Sequence, residues 1–100
     1  MIRHIVMFKL KEFSTPSEKQ QAAETLKREL LSMRTKISVI CEFEIGINFN
    51  PNSNAFDVVI NSTFANREDL ETYQVHPAHQ AFIAFNKNYS VEKVIVDYAF

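Results

Sequence analysis

The chain has 100 residues, 46% of them hydrophobic and 23% charged, which is the balance of an ordinary globular protein and excludes disorder. Eleven basic against twelve acidic side chains leave a formal net charge of −1, which excludes the basic excess that nucleic-acid and anionic-membrane surfaces need. One cysteine, Cys41, excludes an internal disulfide framework, and one glycine, Gly46, excludes the multi-glycine phosphate loops of nucleotide-binding folds.

The opening segment MIRHIVMFKLK alternates with period two. Ile2, His4, Val6, Phe8 and Leu10 share one face; Arg3, Ile5, Met7, Lys9 and Lys11 share the other. This predicts a strand. Ser14-Thr15-Pro16 predicts a helix start, with a hydroxyl cap and proline at the first helical position. Ala22, Leu26, Leu30, Met33 and Ile37 make one apolar stripe, so the helix should run to about Lys36. Residues 38–48 alternate again, with Val39, Cys41, Phe43, Ile45 and Ile47 opposite Glu42, Glu44 and Asn48, which predicts a second strand and makes Cys41 an inert buried thiol. Asn50-Pro51-Asn52-Ser53-Asn54 is a loop by its turn chemistry. Residues 55–64 form a third strand with Phe56, Val58, Ile60 and Phe64 on one side. Asn66 caps a second helix, which Pro77 interrupts before it resumes to about Asn86. Val91 to Phe100 is a last strand, with Val94, Val96, Tyr98 and Phe100 on one face.

This order, β-α-β-β-α-β, predicts a single α+β domain over residues 1–100, ferredoxin-like, with both helical segments on one face of a four-stranded antiparallel sheet. The opposite face is expected to carry Ile5, Met7, Ile40, Val59 and Ile95 among Glu42, Glu44, Asn61 and Lys93. A free face with five aliphatic side chains favours packing against a second copy over a solvated mixed surface. No apolar run approaches the roughly 20 residues of a membrane span, and the first residues lack the pattern of a secretory signal, so a cytoplasmic protein without a membrane or nucleic-acid partner is expected.

The chemistry-bearing stretch is Tyr73-Gln74-Val75-His76-Pro77-Ala78-His79, together with His4. On an unbroken helix Tyr73 and His79 would stand about 240° apart and share no face. Proline pushes His76 out of the helical region and starts a new segment, with His79 in its first turn. There the positive end of the helix favours neutral imidazole, the form a general base requires. His4, on a strand face otherwise filled by Ile2, Val6 and Phe8, needs a polar partner or a ligand. The plainer alternatives are a satisfied core histidine at His4, a structural helix break at His76-Pro77 and a core tyrosine at Tyr73 beside Leu70. No carboxylate or cysteine completes a metal set around His76 and His79, so no metal site is expected, and no serine stands in a G-x-S-x-G setting.

The segments I-R-H-I-V-M-F-K-L-K, Y-Q-V-H-P-A-H-Q-A-F and V-D-Y-A-F together resemble the Dabb family, the stress-responsive α/β-barrel domain, over the whole chain. The resemblance implies a dimeric α+β barrel built by pairing two sheets. It also implies a relationship to the plant polyketide cyclases that make olivetolic acid, whose pocket histidine, tyrosine and H-P-A-H histidine fall on His4, Tyr73 and His79. In that role His79 takes a proton beside a carbonyl, Tyr73 bonds the enolate oxygen and His4 holds the substrate, with His76 and Phe82 as ligand contacts and no cofactor. The expectation is therefore a homodimer that binds an unknown small molecule, with acid–base catalysis on a carbonyl compound if it is an enzyme. Alternatives are a non-enzymatic stress or assembly protein with structural histidines, or a monooxygenase-like dimeric barrel.

Overall fold

All 100 residues are described by a computed structural model. The opening alternation forms β1 (Ile2–Leu10), with Ile2, His4, Val6, Phe8 and Leu10 all buried beneath the helices. In α1 (Pro16–Met33) the Thr15 hydroxyl accepts from the Glu18 N–H, and Pro16 occupies the first turn, where no N–H is needed. Its buried stripe includes Leu26 and Leu30, both 0% exposed, each contributing about 2 kcal/mol by removal from water. The helix stops at Met33, a turn before the sequence suggested, although the Ile37 N–H still reaches the Met33 carbonyl.

β2 (Glu42–Ile47) and β3 (Val58–Phe64) follow, with the loop between them stitched by asparagine side chains: Asn48, Asn50 and Asn52 each accept from the N–H two residues on. α2 (Arg67–Val75) is capped by Asn66, and α3 (Pro77–Asn86) begins directly after His76. β4 (Ser90–Ala99) closes the chain. The sheet is antiparallel with order β2-β3-β1-β4, so the first and last strands are neighbours and β4 is an edge. No helix is long and apolar enough to cross a membrane.

Three expectations change. β2 starts at Glu42, so Cys41 lies outside the strand with its side chain exposed, and Ile40 is buried in the connection instead of standing on the open face. β4 presents the opposite phase. Its pairing places Lys93, Ile95, Asp97 and Ala99 across from the inward Phe8, Val6, His4 and Ile2, and directly opposed residues leave a sheet on the same side. Val94, Val96 and Tyr98 therefore stand on the open face with Ile5, Met7 and Val59. The strand puts its more apolar side outward because the helices leave β4 uncovered, so core burial does not choose its face.

Candidate functional site

β1 and β4 on one side, α2 and α3 on the other, frame a cavity of about 460 Å3 that is open to solvent along β4. Val6, Phe8, Ile60, Phe82, Ile83 and Ile95 supply its apolar wall; His4, Tyr73, Gln74 and His79 supply its polar end. The Phe82 ring packs on Phe8, 6.1 Å between centroids, and the space beside them stays open.

The helix break organises the polar end. His76 takes φ −62° and ψ 138°, extended as proline demands of its predecessor, and its ring Nδ1 accepts from the Ala78 N–H at 3.0 Å. In a continuous helix that N–H would go to the Gln74 carbonyl. Released from it, the Gln74 carbonyl accepts instead from the His79 ring Nδ1–H at 2.9 Å and from the Gln80 amide at 2.8 Å. One proline thus turns the chain, and the carbonyl it frees fixes the His79 tautomer. With the proton on Nδ1, Nε2 carries the lone pair. His76 is occupied as the cap of α3 and is not among the residues lining the cavity.

The same break brings Tyr73 and His79 together, their ring centroids 4.5 Å apart. Burial is the main influence holding His79 below the usual histidine pKa; the Gln74 carbonyl opposes it, and the charges of His4 and Lys93 add to it. The neutral imidazole expected from a helix end is thus secured chiefly by desolvation. Tyr73 is 0% exposed and packs against Phe64, Phe43 and His4 as well. Its hydroxyl is buried without a hydrogen-bond partner, and desolvation pushes its pKa far above the ordinary phenol range. A buried hydroxyl that makes no bond costs about 1–3 kcal/mol.

His4 finds the partner its position demanded. Its Nδ1 bonds the carboxylate of Asp97, directly across on β4. Asp97 is the site residue that sequence reasoning missed. The signal was present in β4's alternation, which in its other phase sets Asp97 beside His4. No group of three or more His, Cys, Asp and Glu side chains gathers in a way that could hold a metal ion.

The fold has counterparts among known proteins. The family model described as Stress responsive A/B Barrel Domain matches residues 2–100. An uncharacterized protein of Streptomyces coelicolor is 32% identical over 100 residues, covering 100% of both chains. A dimeric protein of unknown function and ferredoxin-like fold from Bacteroides fragilis has a TM-score of 0.87 at 32% identity, over 99% of this chain and 95% of that one. A hydroxynitrile lyase from Passiflora edulis has a TM-score of 0.81 over 99% of this chain and 92% of that one; at 17% identity the likeness is of fold alone.

Proposed function

The chain belongs to the stress-responsive A/B barrel domain family, and from that premise we propose that it is a homodimeric small-molecule-binding protein that performs cofactor-free acid–base chemistry on a carbonyl compound. The observation that carries this is the partnerless Tyr73 hydroxyl beside a His79 whose Nε2 is left as the basic nitrogen in an apolar-walled cavity.

His79 Nε2 removes a proton from the carbon next to the substrate carbonyl. The electron pair of that C–H bond moves toward the carbonyl oxygen, and the Tyr73 O–H donates a hydrogen bond to it as negative charge builds there. The enolate then attacks a second carbonyl of the same molecule, forming a carbon–carbon bond, and the proton held by His79 passes to the new alkoxide. Run backwards, the same groups cleave such a bond, as a lyase does. His4, held by Asp97, orients the substrate; Phe82 lies along its hydrocarbon part; His76 acts on the site by starting α3.

The second copy belongs on the open sheet face. Met7, Val94, Val96 and Tyr98 are 40%, 44%, 58% and 43% exposed there, and the Bacteroides fragilis relative is described as dimeric.

The chemistry is tested by proton–deuterium exchange beside the carbonyl of 2-nonanone or 2,4-nonanedione, followed by NMR. The protein should accelerate exchange, and His79→Ala should remove about 10²–10⁴-fold of the acceleration. Equal exchange by wild type and His79→Ala would sink the proposal.

A further inference from the structure

The cavity holds a charge that the proton transfer leaves unused. Lys93 stands directly across from Phe8 in the β1–β4 pairing, so its side chain leaves the sheet on the helix side. It lines the cavity. Neither ion pair of the chain, His4–Asp97 or Lys19–Asp57, involves it. Its charge is nevertheless felt at His79, where it disfavours the imidazolium.

Its surroundings narrow what it could meet. Lys87, at the end of α3, brings a second ammonium to the cavity lining, and Glu92 brings one carboxylate. Glu92, however, pairs with Lys9 and so leaves the strand toward the open face. The deeper wall is hydrocarbon. A cation at the rim of an apolar cavity recognises a molecule with a hydrophobic body and an anionic end.

We propose that the cavity selects carbonyl compounds that carry a carboxylate, with Lys93 pairing to the carboxylate while the carbonyl lies against the polar end formed by Tyr73 and His79. This rests on the cavity being a carbonyl site, as proposed above. It has a consequence for the base: a bound carboxylate offsets the Lys93 charge, so the substrate itself makes His79 more willing to accept a proton.

The test is calorimetric titration with 4-oxononanoate and with its methyl ester. Wild type should bind the acid about tenfold more tightly than the ester, with the gap narrowing as salt rises. Lys93→Gln should bring the acid down to the ester's affinity and leave the ester unchanged; Lys93→Arg should keep the preference. Equal binding of acid and ester by wild type, or a preference that survives in Lys93→Gln, overturns the carboxylate assignment while leaving the carbonyl site standing. Failure of wild type to bind either compound overturns both.

Discussion

β1 and β4 are hydrogen-bonded neighbours in one sheet, yet they live in different environments. Every second residue of β1 from Ile2 to Leu10 is buried, whereas β4 has no buried residue from Ser90 to Ala99. The helices rest on β2, β3 and β1 and leave the edge strand uncovered. Stability is concentrated under α1, and the gap between β4 and α3 is where the cavity opens. Neighbouring strands of one sheet can thus be divided between holding the fold together and presenting a site.

The sharpest way to break this comparison is to truncate each side. Leu26→Ala, on the buried face of α1, should lower the unfolding free energy by about 3 kcal/mol, while Ile95→Ala, on the cavity side of β4 and 48% exposed, should cost less than about 1 kcal/mol; denaturant titration reads both. Equal losses would mean that β4 is core. On the open face Val96→Asp should turn the proposed dimer into monomer in sedimentation with little change in the helical signal, since burying a carboxylate without a partner is costly.

Smaller effects probe the site itself. Tyr73→Phe should raise the unfolding free energy by about 1 kcal/mol, because it deletes a buried hydroxyl that has no partner, and should slow the exchange reaction in the same protein. A loss of stability on that substitution would show that the hydroxyl has a hydrogen-bond partner in the folded protein. The weakest effect is one of pH. His79 binds its proton less readily folded than unfolded, so its contribution to stability is present above the unfolded histidine pKa of about 6.5 and declines as pH falls below it. His79→Gln should flatten that part of the stability profile, read from thermal midpoints between about pH 7 and pH 5. Exchange activity should persist to lower pH than an ordinary histidine permits, failing only once Nε2 protonates.

Much of the fold was legible because its signals are local. Thr15 and Asn66 cap the helices they precede, Pro77 splits the second helical segment where its ring forbids continuation, and period-two alternation marks β1. The gathering of Tyr73, His4 and His79 around one cavity followed from the same proline and from the inward face of β1. What escaped was non-local. Alternation alone puts Cys41 inside a buried apolar run, yet it lies exposed ahead of β2, because a chain turn after α1 delays the strand. Apolar content ranks the two sides of a strand by which is greasier, so it hides Asp97 and sets Ile95 and Lys93 on the wrong face.

By itself, then, the sequence determined the element order, the caps, the helix break and the identity of the aromatic and imidazole groups available for chemistry, since each depends on residues within a turn or two of one another. The tertiary structure alone decided the phase of β4, the pairing of His4 with Asp97 and the presence of Lys93 in the cavity. Those depend on register between strands that lie at opposite ends of the chain, where backbone hydrogen bonds, not local hydrophobic pattern, choose which side of the ribbon faces inward.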